Sequence, residues 1–291
     1  MIYAIRQITA YSYGSYVPYA AHVLRLVPVA GPSLNVIECD LVIDPKPSEY
    51  VVGKDFFGNS LAHVVLKSPH SRLSVESRAV VELLEGPAVT PEGTPPWEDV
   101  RAAAHTSARL DPRSPAHQLF PTRHVPISPE LLAYGVDLFV PGRPVLEAAI
   151  ALMTRIRQDF EYDPSATSVS TPTVEALGLR RGVCQDFAHI MIGVLRSLGL
   201  PAGYVSGYLR TVPLPGKARL QGADAMHAWV SVWCGEEAGW QDLDPTNAVR
   251  AGRDHVPLAF GRDYADVSPI DGVIFHSGSH SLAVSVDVVE R

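Results

Sequence analysis

The sequence predicts an α+β protein in which an antiparallel β domain is followed by helices and then by a second antiparallel sheet. Apolar and polar residues alternate with a period of two over much of residues 1–86. Apolar residues recur at helical spacing between residues 144 and 198, and the period returns to two after residue 202. Alternation is typical of half-buried strands, whereas spacings of three and four residues are typical of amphipathic helices.

Composition and charge exclude several classes of protein. The chain has 291 residues, of which 46% are hydrophobic and 19% are charged, as expected for a globular protein with a sizeable core. The formal net charge of −7 argues against binding to nucleic acid or to an anionic membrane, because both need a basic face. No run of about 18 apolar residues indicates a membrane span. We therefore expect a cytoplasmic protein without a nucleic-acid or membrane partner.

Five strands are predicted in the β-rich N-terminal domain, residues 1–86. They cover residues 2–13, 22–29, 35–44, 61–66 and 73–84. Turn sequences such as Gly31-Pro32 and Asp44-Pro45 separate them. Several short strands at this spacing favour an antiparallel sandwich or a curved sheet.

Residues 87–143 are rich in proline and are predicted to form a linker with short helices at 97–104 and 129–138. Large apolar side chains such as Trp97 and Phe139 occur within it. Because such side chains are usually buried, we expect the linker to lie against the domains on either side.

Residues 144–291 are predicted to form the second domain. A helix begins after Pro144, whose missing N–H costs nothing in a first helical turn, and a short helix follows at 173–177. The clearest helix covers residues 184–198 and ends before Gly199, a typical C-terminal stop. The predicted strands cover residues 202–211, 225–234, 240–243, 273–276 and 282–289.

Cys184 is the first residue of that clearest helix. The free backbone N–H groups and the dipole at a helix start favour an anion, and so favour a thiolate over a thiol. The chain has three cysteines, Cys39, Cys184 and Cys234, which lie too far apart in sequence to form a CxxC motif. We expect them to be reduced. Since most free cysteines are small buried residues, the helix start alone does not establish a nucleophile.

A thiolate enzyme also needs a base and a group that orients this base. His227 lies on the predicted strand 225–234, and Asp242 and Asp244 follow on the next strand. Adjacent antiparallel strands would bring His227 beside one of the two aspartates. Because Asp242 and Asp244 are two residues apart, they lie on the same face of a strand and the periodicity does not choose between them.

Three motifs resemble the signature blocks of the transglutaminase-like superfamily. They are Gly182-Val183-Cys184-Gln185-Asp186-Phe187-Ala188, His227-Ala228-Trp229 and Asp244-Pro245-Thr246. The N-terminal segments 24–28 and 55–59 resemble the bacterial transglutaminase N-terminal domain. The resemblance implies a papain-like core in which Cys184 is the nucleophile, His227 the general acid and base, and Asp244 the orienting residue. It implies neither a cofactor nor a metal.

The resemblance also implies a reaction. The thiolate would attack a carboxamide and form an acyl-thioester, which water releases as an acid or an amine converts into a new amide. We favour hydrolysis by a cysteine protease or amidase, with a protein or peptide transglutaminase as the alternative. Bacterial members of the family imply a functional association with an ATP-grasp-type peptide ligase and a small peptide as substrate. The oligomeric state stays open.

A phosphatase is one competing interpretation. Asp242-Leu243-Asp244-Pro245-Thr246 matches DxDxT, the nucleophile motif of haloacid-dehalogenase-type phosphatases. That motif needs a parallel sheet and a downstream lysine, and no lysine follows Lys217. The strands around the motif are predicted to be antiparallel, which argues against this function.

Two further interpretations remain. A zinc site could combine His227, one of the two aspartates, and Cys184 or His189, but these residues lack the tight spacing of HExxH-type ligands. His189 is better explained as a packing or surface histidine. A non-catalytic peptide-binding module of the same fold would be suggested by the loss of Cys184, His227 or Asp244, and all three are present.

Overall fold

Antiparallel sheets dominate the architecture, as the sequence predicts for an α+β protein. The computed structural model describes residues 1–84, 86, 88–211, 225–275 and 278–291. The predicted strand end at His276 lies outside the described residues. Within the described part of the chain, no helix is both long enough and apolar enough to cross a bilayer.

The N-terminal residues form strands that are divided between two four-stranded sheets. These strands are β1 (Ile2–Val17), β2 (Tyr19–Leu24), β3 (Leu34–Asp44), β4 (Glu49–Lys54), β5 (Ser60–Leu66) and β6 (His70–Leu83). Along β1 every second residue from Tyr3 to Thr9 is buried, which is the alternation that predicted the strand. The two sheets share a core that includes Leu24, Val64 and Leu73. The predicted antiparallel sandwich is therefore formed.

Helices and further strands follow the N-terminal strands. The helices are α1 (Trp97–His105), α2 (Pro129–Gly135), α3 (Val145–Asp159), α4 (Thr173–Leu179), α5 (Cys184–Ser197) and α6 (Tyr264–Val267). The short strands β7 (Glu161–Tyr162) and β8 (Arg181–Gly182) pair in parallel just before α5. The remaining strands are β9 (Ala202–Leu209), β10 (Ala225–Trp233), β11 (Trp240–Asp244), β12 (Val249–Arg250), β13 (His255–Gly261), β14 (Ile270–Phe275) and β15 (His280–Glu290).

The proline-rich segment 87–143, predicted as a linker, contributes buried side chains to the main core. Its helices α1 and α2 begin and end close to the predicted bounds, and Val100, Leu119 and Leu131 are buried in the same cluster as α3 and α5. Gly193 of α5 faces α2 so closely that a Cβ at this position would lie 2.8 Å from a methyl carbon of Leu131. The unit that contains α3 and α5 thus begins upstream of residue 144.

The end of the chain also departs from the predicted domain 144–291. Strand β14 pairs with β2, and β15 pairs with β1 along most of its length, from Tyr3 opposite Glu290 to Tyr13 opposite His280. The sheet orders are accordingly β15-β1-β6-β3 and β14-β2-β5-β4. The last two strands therefore belong to the N-terminal sandwich, one in each of its sheets. Strand periodicity predicted both strands but could not identify their partners.

A five-stranded sheet, ordered β12-β11-β10-β9-β13, carries most of the candidate site residues. Helix α5 contacts β9 and β10, and twelve of its fourteen residues are buried. The N-terminal sandwich packs on this sheet through apolar residues, and the buried hydroxyl of Tyr208 donates to Oε1 of Gln7 at 2.8 Å. Strands β4 and β13 were not predicted from the sequence. The packing holds α5, β10 and β11 in fixed relative positions.

Candidate active site

Cys184 is the first residue of α5, and the chain immediately before it is tightly constrained. The Val183 N–H donates to Oδ2 of Asp186 at 2.8 Å, and the Thr167 hydroxyl donates to the same oxygen at 2.6 Å. A Cβ at position 182 would lie only 2.9 Å from the carboxylate carbon of Asp186, so this approach needs glycine. These contacts fix the point where the chain enters the helix, and with it the position of the Cys184 sulfur.

His227 and Asp244 form the contact that the sequence predicts for a base and its orienting residue. Nε2 of His227 lies 2.9 Å from Oδ2 of Asp244. The Cys184 side chain lies close enough to His227 to contribute to raising the pKa of its imidazole. Because Nε2 faces the carboxylate, Nδ1 is the ring nitrogen left for the sulfur. The structure brings all three predicted residues together, although their catalytic roles remain a prediction.

Asp242, the other candidate for the orienting residue, has a different partner. Its Oδ2 accepts a hydrogen bond from the indole Nε1 of Trp229 at 3.0 Å. His227 and Trp229 are two residues apart on β10, and Asp242 and Asp244 are two residues apart on β11. Asp244 therefore meets His227, and Asp242 meets Trp229. The geometry therefore assigns the contact with the imidazole to Asp244.

Asp244 is surrounded by donors, and two of them were missed by the sequence reasoning. Oδ2 also accepts from Nε2 of His255 at 3.0 Å and from Nδ2 of Asn247 at 2.7 Å. Oδ1 accepts from the backbone N–H groups of Thr246, at 2.9 Å, and Asn247, at 3.3 Å. A turn residue such as Asn247 directly after a strand is a recognisable local signal. His255 belongs to β13, which was not predicted from the sequence. Its position near Asp244 depends on the order of the strands in the sheet.

These contacts perturb the ionisation of both residues. Burial alone would lower the pKa of His227, but hydrogen bonds with Asp244 and Cys184, together with their charges, raise it to about 9. Burial would raise the pKa of Asp244, but hydrogen bonds from His227 and His255 and the charge of His227 hold it well below its usual range. A pKa of about 9 keeps His227 protonated at neutral pH, where it is paired with an ionised Asp244.

The three cysteines differ in environment. Burial raises the pKa of Cys234 to about 12, as expected for a small apolar core residue. Desolvation by its surroundings and the charge of Asp40 raise the pKa of Cys39, although its side chain is exposed. Cys184 is half-buried, whereas His227 is 7% exposed and Asp244 is fully buried. The sulfur is thus the member of the group that a substrate can reach.

The phosphatase interpretation and a zinc site that includes His189 fit the structure poorly. Asp242 and Asp244 lie on β11, whose neighbours β10 and β12 are both antiparallel to it, whereas DxDxT needs a parallel sheet. His189 accepts a hydrogen bond from the backbone N–H of Tyr264 at 3.2 Å and stacks on His124. It is a buried packing histidine, as expected from the sequence, and its ring is held by these contacts with Tyr264 and His124.

Comparisons with known proteins agree with this arrangement. Residues 3–82 match the model of the bacterial transglutaminase-like N-terminal region, and residues 136–245 match that of the transglutaminase-like superfamily. An uncharacterized protein of Mycobacterium tuberculosis H37Rv is 39% identical over 261 residues, which cover 86% of this chain and 80% of that protein.

Two further similarities concern named proteins. A protein-glutamine gamma-glutamyltransferase of Pseudomonas aeruginosa is 36% identical over 107 residues, covering 34% of this chain but 16% of that protein. The crystal structure of a Cytophaga hutchinsonii protein, named provisionally as a cysteine protease, has a TM-score of 0.73 at 20% identity, covering 100% of this chain and 91% of that one. The second similarity establishes the fold. With these matches and the site geometry together, the chain belongs to the transglutaminase-like superfamily, with a bacterial transglutaminase-like N-terminal region preceding the core.

Proposed function

We propose that this protein is a thiol enzyme that cleaves a peptide or carboxamide bond through an acyl-thioester on Cys184. The observation that carries the proposal is the hydrogen-bonded pair of His227 and Asp244 beside Cys184, the first residue of α5. A nucleophile at a helix start, a base beside it and a buried carboxylate behind the base are the parts that thiol catalysis requires.

The first half-reaction releases an amine. The Cys184 thiolate attacks the carbonyl carbon, and the oxygen becomes a transient oxyanion that the free N–H groups at the start of α5 are suited to bind. The carbon–nitrogen bond then breaks, and the proton on Nδ1 of His227 passes to the leaving amine. The products of this half-reaction are a free amine and the acyl-thioester, with His227 now neutral.

The second half-reaction regenerates the enzyme. Neutral His227 takes a proton from water, and the resulting hydroxide attacks the thioester carbonyl. The carbon–sulfur bond breaks, which releases a carboxylic acid and restores the thiolate and the imidazolium. Asp244 stays ionised throughout, because its hydrogen bonds hold its pKa well below the usual range.

Transfer to an amine is the second candidate function. The similarity to the Pseudomonas aeruginosa protein-glutamine gamma-glutamyltransferase, although confined to 107 residues, favours it. The two reactions share the thioester and differ in whether water or an amine reaches it. An amine acceptor would replace water in the second half-reaction and would give a new amide.

The test is intact-mass analysis of the protein after incubation with a library of peptide amides that includes glutamine-containing peptides. We expect an acyl adduct on Cys184, located by peptide mapping, and no adduct on Cys184→Ala. Cys234→Ala is the matched control and should keep the adduct. A folded protein that neither forms an adduct nor turns over any member of the library would favour a non-catalytic peptide-binding module.

The same assay separates hydrolysis from transfer. A primary amine is added at millimolar concentration to the peptide amide that gives the strongest adduct. Hydrolysis predicts that the carboxylic acid remains the main product. If the new amide becomes the main product instead, the protein is a transferase.

A further inference from the structure

His255 contacts the buried carboxylate from a strand that carries none of the three residues with proposed catalytic roles. It is the first residue of β13, which pairs with β9, and its side chain is buried. Its Nε2 lies 3.0 Å from Oδ2 of Asp244, nearly the same distance as that of His227. The Trp229 ring and its imidazole pack nearly perpendicular to each other, with centroids 5.3 Å apart. The reaction proposed above leaves this residue without a role.

The polarity of the contact can be assigned from the other ring nitrogen. Nδ1 of His255 faces the backbone N–H of Gly252 at 3.5 Å, and a backbone N–H can only donate. Nδ1 is therefore the acceptor, so the ring proton of neutral His255 is on Nε2. The Nε2–H of His255 therefore donates a hydrogen bond to Oδ2 of Asp244.

A metal ion is the alternative occupant of this group of residues. Ligand atoms of His227, Asp244 and His255 lie within 4.8 Å of one another, close enough to hold an ion. An ion would require both Nε2 atoms to lose their protons, whereas the contact with Gly252 places a proton on one of them. Oδ2 of Asp244 already accepts three hydrogen bonds, including that of Asn247. The donor arrangement favours hydrogen bonding over metal binding.

We propose that His255 is a positioning residue that acts through Asp244 on the imidazole of His227. This inference rests on the proposed function of Cys184, His227 and Asp244. The donors on Asp244 come from β10, from β13 and from the turn after β11, so the carboxylate is held from three sides and cannot rotate. Oδ2 is thereby kept facing His227, and the imidazole keeps its other nitrogen towards the sulfur.

The test uses the rate at which iodoacetamide alkylates Cys184 at neutral pH, which needs no substrate. His255→Phe keeps the ring volume and the contact with Trp229 but removes the donor. We expect it to slow alkylation about three- to tenfold, the effect of losing one hydrogen bond. His255→Gln keeps an N–H at a similar reach and should restore at least half of the wild-type rate. Thermal melting identifies any variant that does not fold, and His255→Leu is then measured in place of His255→Phe.

A double-mutant cycle separates positioning from a purely structural role. If His255 acts through Asp244, then His255→Phe should have almost no further effect in an Asp244→Ala background. An equal slowing in both backgrounds, or a His255→Gln rate as low as that of His255→Phe, would overturn the proposal. So would slower alkylation and a higher melting temperature of the wild-type protein in the presence of zinc chloride.

Failure of this inference and failure of the proposed function give different results. Alkylation of wild-type Cys184 no faster than that of an unfolded thiol would count against the proposed function itself. Fast alkylation that depends on Asp244 but is unchanged in His255→Phe would count against the role of His255 alone.

Discussion

Replacing Asp244 by asparagine removes the charge that supports His227 while keeping the shape of the side chain. In Asp244→Asn, Oδ1 would still accept from the backbone amides after β11, which turns the new NH₂ group towards the Nε2 atoms of His227 and His255. The N–H groups of the new amide would then face the Nε2–H groups of the two imidazole rings. Because hydrogen bonding with Asp244 and its charge both raise the pKa of His227, that pKa should fall from about 9.

The size of the effect follows from the lost interaction. A hydrogen bond to a charged group contributes about 1.5–3 kcal/mol, which corresponds to roughly a 10- to 150-fold change in an equilibrium constant. The population of the imidazolium–thiolate pair relative to the neutral pair should fall by that factor, and alkylation of Cys184 by iodoacetamide should slow by tenfold or more at neutral pH. The assay is the alkylation rate followed by intact mass.

Asp242→Asn is the matched control for this measurement. Asp242 lies two residues away on the same strand and accepts from Trp229, a contact that an asparagine oxygen can preserve. Its alkylation rate should stay within about threefold of the wild type, since the lost hydrogen bond is not one that supports His227. Equal losses in both variants, or a wild-type rate in Asp244→Asn, would refute the assignment of Asp244.

Three further predictions concern the thiols, the pH dependence and the sheet. Iodoacetamide at mildly acidic pH should label Cys184 before the other two cysteines, as read by peptide mapping, because the pKa of each of the others is raised. Turnover of a confirmed substrate should fall as the pH rises through about 9, where His227 loses the proton that it gives to the leaving amine; a profile flat to about pH 10.5 would contradict this. Gly207→Ala should lower the free energy of unfolding by about 1–3 kcal/mol, as read by thermal melting, because its Cβ would overlap a backbone carbonyl and the Trp229 ring. The control is Gly178→Ala, which has open space around it and should not lower the free energy of unfolding.

Local sequence signals located most of the elements but few of their partners. Helix α5 was predicted from its apolar spacing and from Gly199, and its observed end at Ser197 differs by one residue. Alternation failed for β4, because all six of its residues are exposed and the strand has no apolar face. It failed for β13 because the register shifts between Pro257 and Ala259, which interrupts the period of two.

The site was predictable only in part, for a related reason. The helix start made Cys184 a candidate, neighbouring strands made His227 and the two aspartates candidates, and the resemblance to the family motifs supplied their roles. Spacing could not choose Asp244 over Asp242, because residues two apart on a strand share a face. Which aspartate meets His227 depends on the register between β10 and β11. The contact of His255 with Asp244 depends on the pairing of β13 with β9. Register and sheet order are set by packing across the whole sheet and not by any short segment.

The pairing of the last two strands with the first two has a consequence for how this protein can be divided. A fragment ending after β6 would lose β15 from the side of β1 and β14 from the side of β2. The sixteen-residue β1 would then present a long row of unsatisfied N–H and C=O groups, the kind of edge on which other chains assemble. The last two strands thus cover edges that would otherwise favour self-association. Residues 1–86 produced alone should aggregate unless a strand corresponding to 280–290 is supplied with them.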